Sequence, residues 1–452
     1  MAIRASRRWQ AASVLALAAI GAAACGGGAG GGGGGGGSSS KTVTVAVVAN
    51  PDITQMEQLI SNFEKQNPGI KVKFDTLPEN QERSEIQKDI STNGGLYDVV
   101  MISNYETPIW AKNGWLDNLS TKFINSDSSY DVSDLLPPIA NSLSYNGGLY
   151  SVPFYGESSM LYYRTSMLKA AGITLPQHPT WAQVAAAAAK LNKPGKVAGI
   201  CLRGENGWGE NLATLDTVIN TYGGSWYNTS WQPQLTSPAT ESAVNFYVNL
   251  VKKDGEPGAA NDGFTELLTL YEQNKCAMWY DSTVAAGSIS AVPSVFKDTS
   301  YAFAPTEKTP ASGWLYTWSL GIPKDSANQA NAWKFVSWAT SKPYLQLVGQ
   351  KLGWAQVPPG SRTSTYTNPN YAKAASAFAS VTEQSINSVN QAKATVPKVP
   401  YVGIQFVDIP QFEDLGTSVS NQIAGAIAGS ESVSQALQAS QQDAVPVGQA
   451  QK

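Results

Sequence analysis

The strongest constraint on the fold is a regular alternation of strand patterns and helix patterns early in the body of the chain. Strand patterns are short apolar or alternating runs rich in β-branched residues, and helix patterns repeat apolar residues three and four positions apart. The order is strand 42–49, helix 53–63, strand 70–74, helix 79–92, strand 98–102 and helix 106–112. A β-α-β-α-β order favours a parallel sheet with right-handed crossovers. The sequence therefore predicts an α/β fold.

The rest of the chain continues as a mixture of both element types without a tandem repeat. Thr180 and Gln183 have the spacing of a capping box, which predicts the start of a helix that ends at Leu191, and Asp52 and Gln55 have the same spacing. The other predicted elements are a strand after the turn at 147–153, strands 197–202, 276–280 and 301–303, and helices 240–253, 263–274, 327–340 and 415–442. With 452 residues, the chain is long enough for two or three domains.

Composition narrows the classes of function. Hydrophobic residues make up 42% of the chain and charged residues 14%, which excludes a disordered chain and permits a sizeable core. The formal net charge is −3, and so the charge balance does not point to a nucleic-acid partner. The single histidine, His178, argues against a catalytic His triad and against a metal centre with several His ligands. The sequence thus fits a neutral ligand, and no metal or cofactor is predicted.

The first forty residues have the pattern of an export signal followed by a tether. Three arginines precede an apolar run, 11–24, that is too short to span about 30 Å of hydrocarbon as a helix. The small residues directly before Cys25 resemble a bacterial lipobox, in which the cysteine takes a lipid and becomes the mature N-terminus. We expect a signal peptide over 1–24, a lipidated Cys25 and a flexible Gly/Ser tether over 25–40, which would hold the body on the outer side of the cell membrane. An ordinary cleaved secretory signal is the alternative.

Two further cysteines lie in the body of the chain. Once Cys25 carries a lipid, Cys201 and Cys276 remain in a compartment that is not reducing. We expect them to form a disulfide. Two buried free thiols are the alternative, because the spacing alone does not decide between the two states.

Polar and aromatic side chains are concentrated in loops next to the predicted strands. In open parallel sheets, ligands bind beyond the carboxyl ends of the strands, so these loops supply candidate site residues. The candidate ligand-binding residues are Asn50, Glu79, Tyr105, Glu106, Tyr155, Arg203, Trp208, Trp279, Asp281, Trp314 and Trp354. Each has a structural alternative: the acids and Asn50 as helix caps, the aromatic residues as core, and Arg203 as half of an ion pair. None is assigned a catalytic role.

Several separated segments share a recognisable pattern. They are Gly148–Tyr155 with Leu161–Arg164, Phe264–Leu267 with Ala277–Trp279, and Leu320–Pro323 with Asn331–Trp333 and Ser337–Ser341. Together these segments resemble the solute-binding proteins of bacterial ABC sugar importers, family 1. More narrowly, Tyr105–Trp110 and the segments 114–116, 201–203, 207–210 and 279–283 are similar to the polyol branch of that family, which binds sorbitol and mannitol. The similarity extends over nearly all of residues 41–445.

This resemblance implies an architecture and a function. The family has a two-lobed α/β fold with a hinge and a ligand cleft between the lobes. Lobe one is expected at 41–150 plus 299–342, and lobe two at 153–298 plus 343–445. The resemblance further implies a monomer without a cofactor, which captures a small neutral polyol or sugar, closes on it by hinge motion, and delivers it to ABC permease subunits in the membrane.

An uncharged polyol offers many hydroxyl groups and apolar C–H edges. Its site therefore needs charged side chains, whose hydrogen bonds to hydroxyls are the stronger ones, and flat aromatic rings against the C–H edges. We hypothesise that Glu106 and Arg203 face each other across the cleft and compensate for each other's burial.

Other functions remain open at the level of sequence. A mono- or oligosaccharide is the alternative ligand within the same family. An extracellular glycosidase would need two carboxyl groups roughly 5–10 Å apart across the scissile bond, and the many Asp and Glu residues permit such a pair. A surface adhesin or a sensor subunit would use the same fold without transport. The sequence favours capture without catalysis.

Overall fold

The computed structural model describes residues 41–452, so the predicted signal peptide, Cys25 and the tether lie outside the described residues. The strands are β1 Thr42–Val48, β2 Lys71–Leu77, β3 Val99–Ser103, β4 Ser144–Tyr145, β5 Gly148–Leu149, β6 Ser151–Glu157, β7 Ser159–Arg164, β8 Met278–Ser282, β9 Thr299–Phe303 and β10 Tyr316–Gly321. The α-helices are α1 Pro51–Gln66, α2 Glu79–Thr92, α3 Glu106–Lys112, α4 Leu119–Lys122, α5 Pro137–Ser142, α6 Thr165–Ala170, α7 Trp181–Leu191, α8 Asn211–Thr221, α9 Pro238–Asp254, α10 Phe264–Glu272, α11 Ala285–Ile289, α12 Pro293–Lys297, α13 Gln329–Ala339, α14 Lys342–Lys351, α15 Thr363–Thr367, α16 Pro369–Ala374, α17 Ala379–Ser388, α18 Phe412–Ala428 and α19 Val433–Gln449. Within this range, no helix combines the length and the apolar character that crossing a bilayer requires.

A five-stranded sheet has the strand order β2-β1-β3-β10-β6. β1 pairs in parallel with β2 and with β3, so that Val45 lies opposite both Phe74 and Val99. β10 runs antiparallel to β3 and to β6. The sheet is therefore mixed: the repeated β-α pattern predicted its parallel part, whereas β6 and β10 come from later in the chain.

A second sheet has three strands in the order β8-β7-β9, with antiparallel pairing throughout. Only Ser158 separates β6 of the first sheet from β7 of the second, and the chain returns to the first sheet between β9 and β10. Two segments pair with strands outside the lobe to which the sequence assigned them. Residues 153–157, expected in lobe two, pair in the five-stranded sheet, and residues 299–303, expected in lobe one, pair in the three-stranded sheet. The sequence does not reveal where the chain passes from one sheet to the other, because β6 and β7 together form one almost continuous buried run.

The loop after β1 is shaped by the start of α1. Asn50 caps this helix, since its Oδ1 accepts a hydrogen bond from Ile53 N at 2.9 Å. The expectation that Asp52 is the cap was wrong, because Asp52 lies buried inside the first turn, where its burial raises the pKa of the carboxyl to about 7. At α7, by contrast, the capping box of Thr180 and Gln183 is present as the spacing predicted.

The segment 197–202 was predicted as a strand, but it forms only isolated bridges beside β8. It is pressed against the backbone of α7, where a Cβ on Gly199 would clash with Ala188 O. A disulfide between Cys201 and Cys276, the pair expected from the sequence, joins the segment to the residues that lead into β8. The segment is thus held by a covalent link where a longer ladder of hydrogen bonds is missing.

The C-terminal helical pattern, predicted as one helix over 415–442, forms two helices. α18 ends at Gly429, which has φ +81°, and α19 begins after it with a capping box of Ser432 and Gln435. A left-handed residue after the last helical turn is the usual role of glycine at a helix C-terminus. The amphipathic pattern continues through this break, and so periodicity alone did not reveal it.

Candidate functional site

A cavity of about 400 Å³ opens at the carboxyl end of β1 and is lined by residues from both sheets. This volume lies within the range usual for sites that bind small molecules. The first sheet and its loops contribute Asn50, Glu79, Tyr155, Glu157, Trp314, Tyr316 and Trp318, and the part of the chain around the second sheet contributes Arg203, Glu205, Trp208, Glu210, Phe264, Glu266, Ser282 and, farther along, Gln405. The site therefore lies where the two sheets meet through the short connection at Ser158.

Arg203 is fixed by a paired, buried set of hydrogen bonds. Its Nε and Nη2 donate to the two carboxylate oxygens of Asp281 at 2.9 and 2.6 Å, and its Nη1 donates to Gly209 O at 2.9 Å. Trp279 Nε1 donates to the same Asp281 carboxylate at 3.1 Å. Burial alone would lower the pKa of Arg203, but Asp281 and Glu210 raise it. The guanidinium therefore lines the cavity as a permanent, rigidly oriented cation.

A second buried arginine lies just behind the cavity wall. The guanidinium carbon of Arg83 lies 4.2 Å from the ring centroid of Trp208 and 4.7 Å from that of Trp318. Arg83 Nη2 donates to Glu79 Oε1 at 2.9 Å, one turn earlier in α2, and Nη1 donates to Glu106. Cation–π contacts of this kind contribute about 0.5–2 kcal/mol each. Arg83 thus holds two indole rings and one carboxylate of the cavity in place.

Asn50 serves two purposes at once. While Oδ1 caps α1, Nδ2 donates a hydrogen bond to Tyr155 OH at 3.2 Å. The Tyr155 oxygen is then an acceptor for Asn50, and its own proton has no acceptor among the described residues. The hydroxyl is consequently ready to donate into the cavity that both residues line.

Several polar atoms of cavity-lining side chains are buried without a hydrogen-bond partner within residues 41–452. They are Trp208 Nε1, Trp314 Nε1 and Gln405 Oε1, in side chains that are 2%, 1% and 2% exposed. A buried polar group without a partner costs about 1–3 kcal/mol. Because these three groups line one cavity, a ligand bound there can supply their missing partners.

The acids of the cavity are held in a less ionised state than usual. Burial raises the pKa of Glu157 from 4.5 to about 8, and the hydrogen bond that Ser282 Oγ donates to this carboxyl opposes the rise. Burial likewise raises the pKa of Glu210 to about 8, although Arg203 opposes it. At neutral pH, Glu157 is therefore largely a neutral acid that can both donate and accept a hydrogen bond.

These raised pKa values predict the direction of the pH dependence of stability. A carboxyl with a raised pKa stabilises the folded state fully below about pH 4.5, and this contribution is lost as the pH rises through about 8. We expect the free energy of unfolding, measured by denaturant titration without ligand, to be lower at pH 8.5 than at pH 5.5. In Glu157→Gln the difference should shrink by at least about 1 kcal/mol. Glu85→Gln, at an exposed position of α2, should leave the difference unchanged, and an equal change in both variants would contradict the assignment.

The structure brings together about half of the side chains chosen from the sequence. Those that line the cavity are Asn50, Glu79, Tyr155, Arg203, Trp208 and Trp314. Four others stand one layer behind: Asp281 and Trp279 orient Arg203, Glu106 binds Arg83, and Tyr105 packs on Trp208 with ring centroids 5.0 Å apart.

Two sequence-based expectations about the site differ from the structure. The hypothesis that Glu106 pairs with Arg203 was wrong: Glu106 pairs with Arg83, and Arg203 pairs with Asp281 and Glu210. Each arginine has an acid nearer than the partner expected from the sequence, so the buried charges of Arg83 and Arg203 are compensated by separate acids. Trp354 lies outside this cavity and lines a smaller pocket next to α14.

Sequence reasoning missed several residues of the site, and most of them left a signal. Arg83 follows Glu79 by one helical turn, which is the spacing of a side-chain ion pair. Tyr316 alternates with Trp314 and Trp318, so all three share one face of an extended segment. Gln405 left no local signal, since only long-range packing places it at the cavity.

The chemistry of this site is that of hydrogen bonding and stacking. Carboxyl groups, one guanidinium, a phenol and indole rings surround a small volume, a set that suits a hydroxyl-rich ligand with apolar edges. Within residues 41–452, no group of three or more His, Cys, Asp or Glu side chains is placed to hold a metal ion.

Known proteins with a similar sequence or structure point to the same class. Residues 50–346 match the family model for bacterial extracellular solute-binding proteins. The mannitol-binding protein of Pseudomonas aeruginosa is 42% identical over 405 residues, which cover 89% of this chain and 92% of that protein. The crystal structure of an ABC transporter solute-binding protein from Agrobacterium vitis S4 with bound D-mannitol has a TM-score of 0.88 and 45% identity, covering 90% of this chain and 97% of the other.

A more distant structure extends the comparison of folds. The ABC transporter solute-binding protein from Agrobacterium radiobacter K84, in complex with ribitol, has a TM-score of 0.78 at 23% identity, covering 90% of this chain and 98% of that one. These similarities confirm the predicted two-lobed α/β fold. On the match over residues 50–346 and the high identity over most of its length, the chain belongs to the bacterial extracellular solute-binding protein family.

Proposed function

We propose that this protein is the substrate-binding component of an ABC importer and that it captures an uncharged polyol of the mannitol type in the cavity between the two sheets. The observation that carries the proposal is the combination of fixed charges, indole rings and unpartnered buried polar atoms around one small cavity. The similarity to a protein named for mannitol binding and to a structure with bound D-mannitol supports the same ligand class.

In this proposal, different side chains recognise different parts of the polyol. Arg203 donates to ligand oxygens from the rigid position that Asp281 gives it. Glu79, which uses only Oε1 toward Arg83, accepts a hydrogen bond from a ligand hydroxyl through Oε2. Glu157 Oε1 and Tyr155 OH supply further hydrogen bonds, and the ring faces of the tryptophans that line the cavity cover the C–H edges.

Closure and delivery form the second part of the proposal. Ser158 and residues 304–315 connect the two sheets, and we assign them to the hinge. Contacts between the two sides of the cavity support closure: Asn80 Nδ2 donates to Asn206 O at 2.9 Å, and Glu413 N donates to Tyr105 OH at 3.1 Å.

The remaining parts of the proposal concern the cellular setting. The protein acts as a monomer, without catalysis, and a lipid on Cys25 holds it on the outer side of the membrane beside its permease. The lipobox-like sequence before Cys25 and the extracellular character of the family support this setting.

Isothermal titration of the purified protein with D-mannitol, D-sorbitol, xylitol, D-glucose and maltose tests the ligand class. We expect a hexitol to bind with a dissociation constant of about 10 μM or below, and maltose to give no heat of binding. Trp314→Phe, which removes an unpartnered indole N–H at the cavity, should weaken binding at least about tenfold. The matched control is Trp354→Phe, outside the cavity, which should bind as the unmodified protein does. No heat with any polyol, together with clear binding of maltose, would replace the polyol by an oligosaccharide.

A further inference from the structure

The cavity carries an excess of carboxyl groups over basic groups that an uncharged ligand does not require. Five carboxyl-bearing side chains line it, Glu79, Glu157, Glu205, Glu210 and Glu266, against one basic side chain, Arg203. The positive charge of Arg203 is already compensated by Asp281, which lies behind the wall at 2.6 Å, with Glu210 at 3.3 Å beside it. Arg83, behind the wall, is compensated by Glu79 and Glu106. Glu205 and Glu266 then remain at the cavity without a basic partner among the described residues, and they carry the surplus of acid.

The acids also influence one another, which is a second sign of a negative potential. The pKa of Glu157, Glu205 and Glu210 is raised, mainly by burial for each, and the nearby carboxylate of Glu79 adds to the rise in all three. A neutral ligand leaves this repulsion in place. A cation placed among these groups relieves it and favours their ionised forms.

The free hydrogen-bonding positions match a donor-rich group as well. Within the described residues, Glu79 Oε2 and Glu157 Oε1 have no donor, because the partners of these acids, Arg83 and Ser282, bind the other oxygen of each carboxyl. An ammonium group brings three N–H donors, and its hydrogen bonds to carboxylates are stronger than those of a hydroxyl.

On these grounds, which rest on the proposed polyol site, we propose that the cavity also takes a cationic amino polyol, in which a protonated amine replaces one hydroxyl, and that it excludes polyols that carry a carboxylate. The ammonium lies among the glutamates, and the remaining hydroxyls use the same partners as those of a neutral polyol. A carboxylate in that position meets the same acids without a free cation to balance it.

A charge series on one carbon skeleton tests this inference. The purified protein is titrated calorimetrically at pH 7 with D-mannitol, 1-amino-1-deoxy-D-mannitol and D-mannonate, at about 10 mM and about 300 mM salt. We expect the amine to bind at least as tightly as D-mannitol at low salt, and its advantage to fall at high salt. D-Mannonate should bind at least about 100-fold more weakly than D-mannitol.

Variants identify the acids as the cause. Glu157→Gln keeps the shape of the side chain and prevents the ionisation that a bound ammonium favours, so the affinity ratio of amine to D-mannitol should fall about tenfold. Glu85→Gln, exposed on α2 and outside the cavity, should leave this ratio unchanged.

The outcomes separate the two proposals. An amine that binds more than about tenfold more weakly than D-mannitol, or a D-mannonate that binds equally well, overturns the charge inference while the polyol function stands. If neither D-mannitol nor the amine binds, the proposed polyol function fails as well. The comparison of the three ligands on the unmodified protein decides the matter even when a variant does not fold.

Discussion

Replacement of Arg203 by methionine is expected to lower the free energy of unfolding by about 3–5 kcal/mol and to abolish ligand binding. The variant leaves Asp281, whose side chain is fully buried, without the cation that accounts for two of its closest hydrogen bonds. Because the same guanidinium lines the cavity, the loss of stability and the loss of binding should occur together. Denaturant titration and calorimetry of one preparation measure both effects.

The appropriate control is an exposed ion pair of the same chemical type. Lys71 pairs with Glu64 at 2.6 Å, but its side chain is 69% exposed, so Lys71→Met should change the free energy of unfolding by less than about 1 kcal/mol. A loss in Arg203→Met no larger than that of this control would mean that the buried pair does not organise the site.

Removal of the disulfide should have an effect of similar size. Cys201 and Cys276 are 75 residues apart, and a link across a loop of that length stabilises the folded state by about 2–5 kcal/mol, mainly by restricting the unfolded chain. We expect the double variant Cys201→Ala/Cys276→Ala to lose stability within that range. Thermal or denaturant unfolding measures the change.

The position of the link adds a consequence for binding. Cys201 precedes Arg203 by two residues, in a segment that has only isolated bridges to β8. We therefore expect weaker ligand binding in the double variant under conditions where it remains folded. Unmodified protein refolded in the presence of a reductant should show the same loss of stability, and stability that is unaffected in both samples would contradict the argument.

Local sequence patterns predicted much of the fold. They failed where an element depends on a partner that is distant in sequence. α2 and α3 have the bounds that the sequence predicted for a polar helix over 79–92 and a short helix over 106–112. Residues 197–202 have the composition of a strand, but pairing depends on a partner that is distant in sequence, and here the disulfide replaces most of the ladder. The antiparallel position of β10 beside β3 is equally nonlocal.

For the site, the rule that ligands bind beyond strand ends led to the right loops. It did not distinguish the side chains that line the cavity from those that lie one layer behind. Arg203 and Asp281 both follow segments predicted as strands, 197–202 and 276–280, yet only Arg203 lines the cavity, and Asp281, which lies within β8, is behind it. Glu106 begins α3, separated by two residues from the end of β3, and its carboxylate pairs with the buried Arg83 rather than facing the cavity. Which of two charges faces the ligand is a question of packing distance, and sequence order does not contain it.

A crystal structure of the protein grown with saturating D-mannitol tests the central claim most directly. We predict one ligand molecule in the cavity, with its oxygens within hydrogen-bond distance of Arg203, Glu79 Oε2 and the indole N–H of Trp314, and with a C–H edge against a tryptophan ring. A cavity that holds only water while D-mannitol is absent or bound at some other surface would contradict the account.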